Sequence, residues 1–241
     1  MLTDPFTQEK TFMKKFISVI LVLVSFAAAF AKEISVKVTP GENWKEKREP
    51  QVAVWLEDED GNYIRTLYVT ERASHKSWIF SPKEGRPESL PVWYGTSKNG
   101  STSDKKSASP ATASAPSGSK ASPATPSVPL SRDLDAVTGA TPKSALTLTA
   151  QIEDRACIIK AEFNNSFDYN DFYTKKNSGV NGQPSVVYTA KIPADLAAGQ
   201  EITLEFAGTG SLTGEEGSIH KDTKNLTTAK KIVNAVTVNC K

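Results

Sequence analysis

From Leu146 to Ile152 every second residue is apolar: Leu146, Leu148, Ala150 and Ile152 alternate with Thr147, Thr149 and Gln151. Successive side chains of an extended chain point to opposite faces, so this pattern fits a strand with one buried and one wet face. The pattern recurs. Ile34, Val36 and Val38 alternate with Ser35 and Lys37. Val52, Val54 and Leu56 make one face, with Trp55 on the other, and Cys157, Ile159, Ala161 and Phe163 repeat the device. Residues 186–192, 202–206 and 232–238 complete the set. Asp58-Glu59-Asp60-Gly61-Asn62 is a turn that sends the chain back through Tyr63 to Val69, a β-hairpin with a Gly-containing loop. Helical periodicity is weak, with one turn expected over Thr228–Lys231. Roughly seven to nine short strands joined by polar turns predict an all-β fold, an antiparallel β-sandwich of immunoglobulin-like type.

Two stretches fall outside that pattern. Residues 98–131 are mostly Ser, Thr, Ala, Pro, Lys and Gly, with no aromatic residue and hardly any large aliphatic one. Such a composition buries too little apolar surface to offset the entropy of ordering it, so a disordered linker is expected here. Near the start, Met13-Lys14-Lys15 is followed by an apolar run from Phe16 to Phe30 that closes on Ala29-Phe30-Ala31. A positive start, an apolar middle and a small-x-small exit read as a signal peptide cleaved before Lys32, with residues 1–12 as an upstream extension. The run is shorter than the ~20 residues of a spanning helix. The expected map is therefore 1–31 leader, 32–97 first part of the β domain, 98–131 linker and 132–241 second part. An exported, periplasmic location follows.

Charge adds an exclusion. The chain carries +2 in all; residues 1–31 hold +1 and residues 98–131 hold +3, which leaves the remainder near −2. A basic footprint for nucleic acid is missing. Cys157 and Cys240 are the whole thiol inventory, and both fall at inward positions of expected strands. Outside the cytoplasm a single bridge between them is the expectation, with two buried free thiols as the alternative.

One segment carries chemistry: Asp135-Ala136-Val137-Thr138-Gly139-Ala140-Thr141. Gly139 and Ala140 remove bulk just ahead of the Thr141 hydroxyl, and Gly139 widens the backbone angles open to it. Asp135 and Thr138 suit local turn hydrogen bonds. The segment is similar to the attachment motif of covalently flavinylated bacterial proteins, Asp-x-x-(Ser/Thr)-Gly-Ala-(Ser/Thr), found in the flavin-carrying subunits of sodium-pumping quinone reductases and related electron-transfer complexes. The resemblance implies that Thr141 is esterified to the phosphate of FMN. It also implies a separate flavin transferase, which takes FMN from FAD with a divalent metal, and redox partners in the membrane or periplasm. Further stretches resemble a family of predicted periplasmic proteins of unknown function that often occur with flavin-transferase systems. They are the hairpin from Val52 to Leu67, Pro91-Val92-Trp93-Tyr94-Gly95, the run from Phe163 to Asn170, Asn181-Gly182-Gln183-Pro184-Ser185 and Thr227-Thr228-Ala229-Lys230.

Other constellations have plainer readings. Asp168, Asn170 and Asp171 offer oxygen ligands for calcium, but their spacing fits an Asx-rich turn better. His75 and His220 read as solvated loop residues, and no nucleophile elbow is present. Trp55, Trp78, Trp93 and Tyr94 are candidates to stack on an isoalloxazine ring, though core packing is the commoner use of such area. The leading expectation is an electron-transfer protein with covalent FMN, a redox carrier more than a stand-alone enzyme. The alternatives are a cofactor-free β-sandwich that binds partners in the cell envelope, and an exported flavin-dependent reductase.

Overall fold

The computed structural model describes residues 31–45, 49–74, 86–103, 137–139, 145–213 and 217–241. Its strands are β1 (Ala31–Pro40), β2 (Gln51–Glu57), β3 (Tyr63–Thr70), β4 (Val137–Gly139), β5 (Leu146–Glu153), β6 (Cys157–Asn164), β7 (Val186–Ile192), β8 (Glu201–Thr203), β9 (Glu205–Thr209) and β10 (Val233–Cys240). Short helices α1 (Glu71–Ser74) and α3 (Lys175–Ser178), a longer α2 (Pro91–Ser103) and a 3-10 turn over Thr228–Lys231 complete the order. The strands form a four-stranded sheet, β5-β1-β10-β8, and a six-stranded sheet, β4-β3-β2-β6-β7-β9. All pairings are antiparallel except β3 with β4.

The expected β-sandwich is what forms. Ile34, Val36, Val38, Val236 and Val238 of the four-stranded sheet pack in one core with Val52, Val54, Ile159, Ala161, Phe163 and Val186 of the six-stranded sheet. Burying one such aliphatic side chain is worth about 1.5–3 kcal/mol, so this layer dominates stability. The expected strand at 202–206 is two strands. Leu204 is buried between them and donates its N–H to the Val236 carbonyl (2.8 Å), so the chain crosses from one sheet to the other at that residue.

The six-stranded sheet buries its outer face too. Ala53, Trp55, Val69 and Val187 on that face pack with Ala73 of α1 and with Leu90, Val92 and Trp93 at the start of α2. This helix was not legible from periodicity. Residues 98–103, where the linker is expected to begin, are instead the second half of this helix, and residues 104–131 and 1–30 lie outside the described residues. No helix among the described residues is long and apolar enough to cross a membrane.

Candidate functional site

β4 determines where the hydroxyl motif meets the fold. Val137, Thr138 and Gly139 run parallel to Tyr68, Val69 and Thr70 as the last strand at one edge of the six-stranded sheet. Asp135, Ala140 and Thr141 lie outside the described residues. Because β4 runs in the direction of β3, the chain reaches Gly139 beside Thr70. That is the end of the sandwich where β3 and β6 finish and β2 and β7 begin. α1 follows β3 at this end and packs against β4.

Three of the stretches singled out above meet at the same pole, tied together by Asp168. This residue is buried in the connection from β6 to β7, and its carboxylate accepts from Asn43 Nδ2 (3.1 Å), Gln183 Nε2 (3.1 Å) and Thr228 Oγ1 (2.8 Å). Gln183 Oε1 in turn accepts the Thr227 N–H at 2.7 Å, and Asn165 Nδ2 donates to the Asn43 carbonyl at 2.7 Å. A buried carboxylate is tolerated only when donors replace its lost water, and three do so here. Main-chain bonds close the layer: Phe167 N–H to Val180 O (2.7 Å) and Gln183 N–H to Asp168 O (2.9 Å). Gly182 permits this approach. Its φ is +76°, and a Cβ there would lie 2.5 Å from the Asp168 carbonyl.

Arg86 links this layer to the motif edge. Its backbone N–H donates to Ala73 O of α1 (3.3 Å), while its guanidinium donates to Ser166 Oγ (2.9 Å), Asn181 Oδ1 (2.8 Å) and Glu88 Oε1 (3.0 Å). A fork with fixed donors can hold separate segments in one geometry. Asn181 Nδ2 answers by donating to Glu88 O at 2.7 Å. Three buried oxygens of this pole, Ser89 Oγ, Asn164 Oδ1 and Asn165 Oδ1, have no hydrogen-bond partner among the described residues.

Beneath α2 lies a second buried carboxylate. Glu162 of β6 accepts the backbone N–H groups of Val92 (3.2 Å) and Trp93 (2.8 Å) and the hydroxyl of Ser185 (2.6 Å). Those N–H groups are orphans of the first helical turn, and the helix dipole favours an anion there. Complete burial nevertheless pushes the Glu162 carboxyl up to about 7, against the lowering pull of these three bonds. Glu162 and Arg86 were not singled out in the sequence. A charged residue between Ala161 and Phe163 reads as solvent-facing unless something covers that face, and the covering helix left no periodic signal.

The other sequence candidates resolve as follows. The expected bridge does not form: Cys157 and Cys240 are free, buried thiols. They belong to different sheets, β6 and β10, and each fills core space. Facing sheets sit on the order of 10 Å apart, beyond the Cα separation a disulfide spans unless the sheets pinch together. Asn170 makes an Asx turn, accepting the N–H groups of Phe172 (3.0 Å) and Tyr173 (2.7 Å), and Asp171 is exposed. Trp55 and Trp93 are buried; their indole N–H groups donate to Glu57 Oε1 and Thr66 Oγ1, both at 2.8 Å. Tyr94 is half-buried with the Lys98 ammonium 4.2 Å from its ring centre. His220 is exposed and pairs its backbone with Thr209, while His75 and Trp78 lie outside the described residues.

Compared with protein-family models, curated proteins and solved structures, the chain matches none.

Proposed function

We propose that this protein is an exported flavoprotein that carries FMN as a phosphoester on Thr141 and passes electrons outside the cytoplasm. The observation that carries the reading is the sequence Asp135-Ala136-Val137-Thr138-Gly139-Ala140-Thr141, with the apolar leader ahead of it. The backbone geometry is compatible with it. Gly139 ends an edge strand two residues before the acceptor, and it ends at a pole built from hydrogen-bonding side chains.

The residues at that pole suit the group. FMN brings an anionic phosphate, a flexible ribityl chain and a flat ring with a polar rim. Arg86 offers a guanidinium and Phe167 an exposed aromatic face. When bound, the flavin supplies the redox chemistry, and the protein supplies retention, orientation and exposure. Thr141 contributes the ester oxygen: its hydroxyl displaces AMP from FAD, with the proton passing to the transferase. Arg86 and Asp168 hold the surrounding segments in register. An ester outside the cytoplasm keeps the cofactor from diffusing away.

Labelling variants test this. Co-expression with a flavin transferase should give yellow protein whose colour stays with the denatured chain. Thr141→Ala should abolish the label with the fold intact, because the change removes only the acceptor oxygen. Thr141→Ser should keep it. Equal labelling of Thr141→Ala would reject the assignment, and colourless wild-type protein beside a labelled control acceptor would favour the cofactor-free binding module.

A further inference from the structure

The strands that end the two sheets are protected unequally. β4 and β8 are each three residues long. β9 is bulged against β7, and its outer side is covered: Thr209 exchanges backbone bonds with His220 (2.9 and 2.8 Å), and Ala207 O accepts Lys221 Nζ at 2.7 Å. β5 has none of these devices. It runs eight residues in unbroken register with β1, and among the described residues no strand lies on its other side. From Leu146 to Ile152 it holds no charge, no proline and no glycine. A long straight edge of this kind is a template for a further strand.

The backbone groups along that edge can be assigned. Lys241 donates its N–H to Glu33 O (2.9 Å), so Glu33 turns its backbone toward β10 and Ile34 turns its own toward β5. Bonding alternates along an antiparallel ladder. Leu146, Leu148, Ala150 and Ile152 are therefore the residues bonded to β1, while Thr147, Thr149 and Gln151 turn N–H and C=O outward. The Arg65 guanidinium, from the other sheet, donates to one of these outward carbonyls, Gln151 O, and leaves it a second lone pair. The inner side chains are half open as well. Leu148 and Ala150 touch the core but stay partly exposed, whereas Leu146 and Ile152 near the strand ends are buried.

We propose that β5 is a self-association edge, on which a second copy of this chain pairs its own β5 antiparallel about a two-fold axis at Thr149. The strand is complementary to itself in that register. Thr149 meets Thr149 of the second copy, Thr147 meets Gln151, Leu148 meets Ala150 and Leu146 meets Ile152. Glu153 falls opposite Ala145, so no like charges meet. The opposed residues at the axis and at both Thr147–Gln151 positions are the ones with outward N–H and C=O groups, so each forms a bonded pair. A slip of one residue would oppose groups already bonded to β1 and would swap the faces. Leu148 of each copy covers Ala150 of the other, which closes the half-open apolar row, and the two four-stranded sheets become one continuous sheet. One strand edge buries less than the ~1,200 Å² of a stable interface, so the pair separates on dilution. None of this depends on the flavin reading.

Sedimentation velocity over a dilution series of the purified protein tests the pairing. Wild type should pass from monomer to dimer as concentration rises. Thr149→Pro deletes the outward N–H at the axis without removing a bond to β1, and Thr149→Lys sets two ammonium groups against each other. Each should weaken dimerisation about tenfold or more. Thr203→Lys is the control: it is exposed on β8, at the other edge of the same sheet, and should leave dimerisation unchanged. Thermal unfolding of dilute protein gives the structural cost of each variant, and if Thr149→Pro lowers the Tm, Thr149→Lys carries the comparison. Thr149→Cys tests the register. A bonded pair holds its Cα atoms about 5.5 Å apart, within the span of a disulfide, so this variant should cross-link on mild oxidation and Thr203→Cys should not. Cys157 and Cys240 are buried and stay out of the reaction. Wild type that remains monomeric at every concentration overturns the proposal. So does a Thr149→Lys protein that dimerises as tightly as wild type, or a dimer in which Thr149→Cys does not cross-link.

Discussion

The two sheets of this sandwich share a core and differ on their outer faces. On the four-stranded sheet burial alternates: Leu146 and Ile152 of β5 are buried, while Thr147, Thr149 and Gln151 are exposed. On the six-stranded sheet all seven residues of β2 are buried, because α1 and the start of α2 cover the face that would otherwise be wet. The first sheet can accept almost any polar residue outside. The second cannot, and its buried polar side chains take dedicated partners, Glu162 with the start of α2, Glu57 with Trp55 and Lys160, Thr66 with Trp93. A covered face converts surface positions into core positions, and it is on this sheet that the motif strand and the polar pole are built.

Matched substitutions on the two outer faces should break or sharpen that contrast. Trp55→Ala empties a fully buried site on the covered face and should cost about 3–5 kcal/mol in urea unfolding. A loss near that of a surface site would mean the helix does not cover the sheet.

Glu162 should give the covered sheet a pH signature. Its folded value, about 7, lies above the ordinary 4.5, so the folded state holds the proton more tightly than the unfolded chain. Its contribution is therefore most favourable below about 4.5, falls as pH rises and levels off above about 7, a swing of at most ~3 kcal/mol. Glu162→Gln should flatten this slope relative to wild type. It should also cost stability at every pH, since an amide NH2 cannot accept a helix N–H. Equal slopes in the two proteins would show that Glu162 does not titrate between folded and unfolded states.

Gly182→Ala strains a positive-φ position against the Asp168 backbone and should cost about 1–3 kcal/mol, with the loss concentrated in hydrogen-exchange protection of the pole. The smallest effect belongs to the bare face. Thr149→Ala should change stability by less than about 0.5 kcal/mol.

The same contrast explains what the sequence made legible. Alternation disclosed β1, β5 and β10 because water on one side enforces a polar residue at every second position. It disclosed the inner face of β2 and left Trp55 unexplained, because the partner of Trp55 is contributed by a segment near residue 90. α2 stayed hidden: Pro91-Val92-Trp93-Tyr94-Gly95 followed by Thr, Ser, Lys and Asn has no apolar stripe, and the helix packs its buried apolar side chains, Val92 and Trp93, from its first turn. Glu162 reaches Ser185, 23 positions away, and Arg86 reaches Ser166 and Asn181, 80 and 95 positions away, so spacing in the chain could not pair them. The hydroxyl motif stands out in the sequence because its residues are contiguous. Its placement beside Thr70 does not, since a parallel edge strand of three residues has no pattern of its own.

Peptide mass mapping of protein made with a flavin transferase and FAD tests the central claim most directly. The account predicts one FMN, as a phosphoester, on the peptide containing Thr141, in protein that begins at Lys32. FMN on Thr138 or Ser144, or no FMN on any peptide while a control acceptor is fully labelled, would contradict it.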